Sequence, residues 1–453
     1  MWRMRGPEVR IRLPSPYTFQ ERWRFRNSRP TNHPRTSFQT RVWGTRSQRW
    51  FYIDGVLSSI VDVAPVAFLA VYAIALGATD TQVGLLSIAA GLAGFLALVP
   101  GARLAEVVGS RRWVILVGGG GIGRLAILAM ALAPLFVDHA LAVWLLVGLA
   151  FIRSFVINAS HASWVSLLAD IIPLDLRRFY VTQRMLAITV AGALGAPIVG
   201  FGIRVIGGVE GFQVLFGLSF LVGIGAWYAY YRIEEPPRPA RADRPAGSTR
   251  AMLADRRFVR FLLALFVLNT TTMIVGPFFI AYLVRDLGGS ASDVGLFTTL
   301  EAAAAVGAQV VLGLTVSRIT SERLVKVILF FPALIPALWY MTDSPWQAAF
   351  PFAAGGIIWA IYNVAIFNLL MEYAPIANIP RYAALQQTFI LLAQFLGPII
   401  GTIVVAFWGI EPAMIISMVG RLVGGLMMFI PLRFMPALAS AEPPQADPSA
   451  SPP

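Results

Sequence analysis

Five ionisable residues stand inside long apolar runs of this 453-residue chain: Asp62, Arg124, Arg153, Glu301 and Arg421. A charge at such depth in hydrocarbon costs about 3 kcal/mol or more unless it is paired or meets water, so each is a functional candidate by default. Arginine keeps its proton, so Arg153 acts either by binding an anionic group or by lowering the pKa of a nearby acid such as Asp62. The alternative is a fixed Asp62–Arg153 pair that only neutralises two buried charges. Glu301 heads a helical stripe with Ala305, Ala308 and Gln309; small residues at that spacing permit close helix contact. Its carboxyl is either a proton carrier or a buried structural acid. Asn269, Thr272, Trp359, Tyr362, Asn363 and Gln394 lie at matching depths, where each needs a hydrogen-bond partner from a solute or from another helix. Asp54 and His161 fall nearer the ends of their runs, where a wet interfacial position is expected. No spacing of His, Asp or Glu is that of a metal site, and the chain has no cysteine. The Gly118–Gly121 run lies inside an apolar span with no Walker lysine after it, which points to close helix packing rather than a phosphate loop. No cofactor is expected. Nor is an enzyme: no carboxylates pair with a histidine at either membrane face, and Asp170 and Asp175 sit among arginines.

The elements that must position these residues are membrane spans. Hydrophobic residues make up 57% of the chain and charged ones 13%, with a mean hydropathy of +0.70. A soluble domain carries about 25% charged residues. Apolar segments run near 51–77, 83–101, 113–135, 140–165, 182–205 and 212–232, then near 259–284, 293–315, 324–341, 348–371, 384–408 and 411–433. Each is close to the roughly 20 residues a helix needs to cross a bilayer. The net charge of +13 is a matter of sidedness rather than of nucleic acid. Linkers after even-numbered segments carry 18 basic residues and the opposite linkers only Arg204 and Arg285. Positive charge marks the cytoplasmic side, so both termini are expected in the cytoplasm and the protein in the inner (plasma) membrane. Residues 1–49 are arginine-rich with no apolar stretch long enough for a secretory signal. They read as a basic tail on anionic lipid or as sequence ahead of a misplaced start.

Landmarks recur in order at a spacing slightly above about 200 residues. Val83-Gly84-Leu85 corresponds to Val294-Gly295-Leu296, and Pro65 to Pro277. Leu167-Leu168-Ala169-Asp170-Ile171-Ile172-Pro173 corresponds to Leu369-Leu370-Met371-Glu372-Tyr373-Ala374-Pro375, with Arg178 and Arg381 following. Ala196-Pro197-Ile198-Val199-Gly200 then matches Gly397-Pro398-Ile399-Ile400-Gly401. Six spans per half give both halves the same orientation, related by an axis along the membrane normal.

Between segments 2 and 3, Ala102-Arg103-Leu104-Ala105-Glu106-Val107-Val108-Gly109-Ser110-Arg111-Arg112 resembles the loop signature of the major facilitator superfamily. The resemblance covers residues 50 to 436. Trp164 to Pro173 followed by Arg177-Arg178-Phe179-Tyr180 resembles the family's junction between helices 4 and 5. Leu149-Ala150-Phe151-Ile152-Arg153 resembles the helix 4 motif of proton-coupled members, and Gly192 to Gly200 resembles the helix 5 motif of antiporters. The resemblance implies a cavity lined by helices 1, 4, 7 and 10, with helices 2, 5, 8 and 11 between the halves. Asp62, Arg153 and Glu301 then reach the cavity, while Arg124 and Arg421 are structural or snorkelling. It also implies a cytoplasmic charge latch between the halves drawn from Glu106, Arg111, Arg112, Asp170, Arg178 and Arg381.

The expected fold is an all-α polytopic membrane protein of twelve transmembrane helices in two pseudosymmetric six-helix bundles. Residues 50–233 and 257–436 are the bundles, 234–256 a cytoplasmic linker, and 1–49 and 437–453 disordered tails. The expected function is secondary transport of a small organic solute by alternating access, coupled to protons through Asp62 or Glu301. The rival readings are an uncoupled facilitator, a lipid-handling protein, or a membrane sensor or scaffold that transports nothing. A monomer in the bilayer with no nucleic-acid partner is expected.

Overall fold

A computed structural model describes residues 44–236, 249–315, 328–374 and 379–432. Twelve apolar helices account for most of them: α1 Arg46–Ala67, α2 Asp80–Val108, α3 Arg111–Phe136, α4 His139–Ile171, α5 Leu174–Ile206 and α6 Gly208–Tyr231, then α7 Arg256–Val275, α8 Ala291–Thr315, α9 Phe331–Tyr340, α10 Ala349–Tyr373, α11 Ile379–Trp408 and α12 Ile410–Leu432. Eleven of these are long and apolar enough to cross a membrane, and α9 is the shorter apolar one.

Local chemistry sets the boundaries. Thr45 and Thr79 each close a reciprocal capping box, with Gln48 at α1 and Gln82 at α2, so the first unpaired amides of both helices are satisfied. Gly109 ends α2 in the left-handed region, φ 76°, where a Cβ would be strained. Proline supplies no amide hydrogen and crowds the preceding turn. Beyond Pro65, α1 stops and a separate helix Leu69–Ala75 continues; at Pro277, α7 passes through a 3-10 turn, Gly276–Phe278, into Phe279–Arg285. The two halves thus break their first helix at matching prolines.

The halves also repeat their packing. Pairs α1–α6, α1–α5 and α2–α4 recur as α7–α12, α7–α11 and α8–α10, and the halves meet through α2 against α11 and α5 against α8. A single apolar core spans both halves at one end of the molecule, joining Phe68, Tyr72 and Val199 to Val275, Phe278 and Phe297. This is the far side, opposite the start of α1. On the terminal side each half keeps its own core: Phe51, Leu116, Leu167 and Tyr180 in one, Phe258, Phe261, Leu265 and Leu369 in the other. Phe136, Trp346, Phe350, Phe407 and Trp408 are exposed at far-side helix ends, as an aromatic interfacial belt requires.

Candidate functional site

Among the described residues, each bundle carries a polar cavity toward the terminal side. The N-half cavity, about 450 Å³, is lined by α1, α3, α4, α5 and α6 and contains Asp54, Asp62, Arg124, Arg153 and Arg184. The C-half cavity, about 380 Å³, lies among α7, α10 and α11.

In the N-half cavity Arg153 Nη2 donates to Asp62 Oδ1 at 2.5 Å. The Asp62 side chain is 50% exposed and Arg153 14%, so the pair faces open space rather than sealed core. Arg153 Nε is buried with no hydrogen-bond partner. Deeper in, Asp54 is 6% exposed and accepts from Ser58 Oγ at 3.1 Å. Two guanidinium groups flank it beyond hydrogen-bonding distance, Arg184 at 3.7 Å and Arg124 at 3.9 Å. Arg124 instead donates to the Gly223 carbonyl (2.6 Å) and to Ser58 Oγ (2.9 Å). Arg184 donates to the Phe51 carbonyl (3.1 Å) and stacks over the Phe51 and Trp164 rings.

Asp54 therefore stands in a buried network, not at the wet interface expected of it, and Arg124 reaches the cavity rather than only the helix packing. Arg184 reads in sequence as one more linker charge. Because α5 already begins at Leu174, Arg184 sits about three turns inside the helix. His161 is exposed and lines the cavity. The four glycines of α3 form a wide π turn, Gly118–Ile122. A Cβ on Gly118 would lie 2.5 Å from Ser160 Oγ, so the run does serve close packing against α4.

The C-half cavity gathers Asn269, Trp359, Tyr362, Asn363 and Gln394. Asn269 Nδ2 donates to the Leu265 carbonyl at 2.8 Å and to the Tyr362 hydroxyl at 3.4 Å. Trp359 meets Tyr362 edge to face at 5.1 Å. Gln386, which sequence reasoning passed over, also lines this cavity, and its Oε1 is buried without a partner. Thr272 does not line it: its hydroxyl bonds back to Leu268 and its carbonyl accepts from Arg421. Glu301 lines neither cavity. It lies between α8 and α10, where a Cβ on Gly355 would come within 3.6 Å of its carboxylate, and no basic residue pairs with it among the described residues.

Of the residues expected to latch the halves, Arg111, Arg112 and Asp170 make contacts within one half. Arg111 pairs with Asp170 and, at 3.0 Å, with Glu235, and donates to Ser166 Oγ. Arg112 donates to the Ile233 carbonyl. These contacts bind the ends of α3, α4 and α6 inside one half. Glu235 accepts from Ser110 Oγ (2.5 Å) and from the amides of Arg111 (3.0 Å) and Arg112 (3.2 Å). Burial alone would raise its carboxyl, but these hydrogen bonds outweigh it and hold the pKa down at about 2. The side chains of Glu106 and Arg178 lie outside the described residues, and Arg381 stands half-buried at the start of α11.

Among the described residues, several hydrogen bonds join the halves toward the far side. Arg285 binds Asp80 and the Ala78 carbonyl; Arg204 Nη1 donates to Ser292 Oγ at 3.3 Å and Thr299 Oγ1 to the Ala193 carbonyl at 2.8 Å.

Two repeated helical bundles, sealed together at one end and each carrying a polar cavity toward the other, define a class of two-half multi-pass membrane proteins. The sequence profile of the Major Facilitator Superfamily matches residues 55–275 and 261–452; the chain belongs to that family of transporters. Over 227 residues, 49% of this chain, it is 27% identical to the multi-drug resistance efflux pump PmrA of Streptococcus pneumoniae serotype 4. The match spans 56% of that curated relative, about half its length. Among solved structures, a D-xylose-proton symporter aligns with a TM-score of 0.68 at 15% identity, covering 86% of this chain and 98% of that one. The nucleoside transporter NupG aligns with a TM-score of 0.63 at 13% identity, covering 85% and 98%. At these identities the likeness concerns the fold.

Proposed function

We propose that this chain is a secondary transporter that moves a small organic solute by alternating access. The observation that carries the reading is the asymmetry of the seam. One core and several hydrogen bonds join the halves on the far side, while the cavities and separate cores occupy the terminal side. That is the arrangement of one end-state of a rocking cycle about a site between two repeats. With the terminal side cytoplasmic, as the arginine bias argues, the described state is inward-facing, the protein belongs to the inner membrane, and both termini are assigned to the cytoplasm. Residues 50–233 and 257–436 act as the two rocking bodies, and the unit is a monomer in lipid. Likeness to an efflux pump favours export.

Proton coupling is assigned to Asp62 or Glu301. Asp62 combines exposure to the cavity with a cationic partner that is released when the acid is protonated. Counterflow in proteoliposomes across a solute panel, with and without a pH gradient, tests the reading: accumulation of at least one solute is expected, driven by the gradient. Asp62→Asn and Glu301→Gln variants that both remained gradient-driven would remove the proton-carrier roles. Exchange of every solute at a rate equal to that of empty liposomes would remove transport itself.

A further inference from the structure

The charge inventory of the N-half cavity is unequal. Three arginines, Arg124, Arg153 and Arg184, face two carboxylates, Asp54 and Asp62. Asp62 is taken by Arg153, which leaves Arg124 and Arg184 to share Asp54 at 3.9 and 3.7 Å. Carbonyl dipoles and one hydroxyl satisfy some of their donors, but one positive charge is left over. An uncompensated charge in low dielectric costs several kcal/mol. Among the described lining residues, Arg153 Nε, which can only donate, is buried without a hydrogen-bond partner. Donors and excess positive charge call for an acceptor-only, negatively charged group.

We propose that the N-half cavity binds a small organic monocarboxylate, with the carboxylate head held by the cavity's arginines. The apolar body lies against Trp164, Ile157, Met185 and Ile188, which line the same space. A volume of about 450 Å³ is that of an organic ligand site rather than of a bare halide. A cation is disfavoured, because Asp54 sits behind two guanidinium groups and Asp62 is already paired. Among its described lining residues the C-half cavity has amides and aromatics and no carboxylate or arginine, so the anionic end belongs to the N half. This inference gives the transport reading above its substrate class.

The test uses three ligands with one apolar body and different heads: benzoate, benzyl alcohol and benzylamine, bound to the full chain in detergent and followed by tryptophan fluorescence. Benzoate is expected to bind at least tenfold more tightly than either analogue, a difference of about 1.4 kcal/mol. Arg153→Gln should weaken benzoate by tenfold or more. Arg153→Lys, which keeps the positive charge, should weaken it less than Arg153→Gln does. Equal affinity for the three heads, a preference for benzylamine, or saturation by chloride that benzoate does not displace would each overturn the inference. Counterflow separates it from the broader reading. Transport of neutral or cationic solutes without benzoate discrimination defeats the anion site alone; benzoate binding without counterflow of any solute defeats transport and supports the site.

Discussion

At the scale of single residues, buried charge divides into two kinds. Arg421 is 1% exposed, and its donors are spent on Ser417 Oγ (3.0 Å), the Pro332 carbonyl (2.7 Å) and the Thr272 carbonyl (3.4 Å). It ties α12 to α9 and α7 and faces no cavity described here. Arg421→Met, which keeps the length and removes the donors, deletes the side-chain bonds to Ser417 Oγ and to the Pro332 and Thr272 carbonyls in apolar surroundings. The expected cost is about 2–4 kcal/mol of stability, read as a lowered melting temperature, with benzoate affinity unchanged in the protein that remains folded. Asp62 is the opposite kind, paired but half-exposed, and a screened pair of that sort contributes about 1 kcal/mol or less. Asp62→Asn should therefore melt close to the parent while altering how transport responds to a pH gradient. The sequence makes all five mid-span charges visible, because hydropathy isolates them. It does not separate these two kinds, since what distinguishes Arg421 from Arg153 is the neighbour across the helix, which no spacing along one helix reveals. Arg184 and Asp54 escape for a related reason: each stands near the end of an apolar run, and linear depth does not report that other helices close over it.

At the scale of elements, the start of α3 is held by an acid remote in sequence. Glu235 follows α6 yet accepts from the first two amides of α3, where the positive end of the helix dipole favours an anion. Its carboxyl ionises at about 2 in place of the ordinary 4.5. The stabilisation is therefore full above about pH 4.5 and disappears as pH falls through about 2. Glu235→Gln should lower stability at neutral pH by about 2 kcal/mol and flatten the acid limb of a stability–pH profile between those values; an unaltered acid limb would show that the cap carries no weight. A second contrast lies along α8. A Cβ on Gly295 would sit 2.5 Å from the Ala196 carbonyl of α5, whereas Gly307 has nothing within 4 Å. Gly307→Ala should be neutral or stabilise by about 0.5–1 kcal/mol, and Gly295→Ala should destabilise the far-side seam; melting curves of the two variants make the comparison. The repeat and the proline breaks were legible because they are patterns in order and offset. The cap by Glu235 was not, because it depends on how α6 delivers the chain back to α3.

At the scale of the whole molecule, the contacts across the seam decide which side is open. On the far side Arg285, from the helix after the α7 break, reaches Asp80 and the Ala78 carbonyl of the other half, and the shared core lies behind it. The network that the family resemblance suggested as a latch between the halves, around Arg111 and Asp170, instead fastens α3, α4 and α6 of one half. Releasing Arg285 should thus bias the two halves, whereas releasing Arg111 should loosen one bundle. The Arg285 and Asp80 side chains are 28% and 52% exposed, so this ion pair contributes about 1 kcal/mol, a shift of roughly fivefold in the ratio of two states. The chain has no cysteine, so a single reporter can be read without background. Met185→Cys places one in the N-half cavity. With a membrane-impermeant maleimide, the reporter should label from the terminal side in the parent. Adding Arg285→Ala should lower that rate and raise labelling from the far side several-fold. Equal labelling ratios in the two proteins would mean that the far-side pair does not hold the seam. Adding Arg111→Ala instead should lower the melting temperature without reversing the preferred side, which separates a gate from a brace within one half.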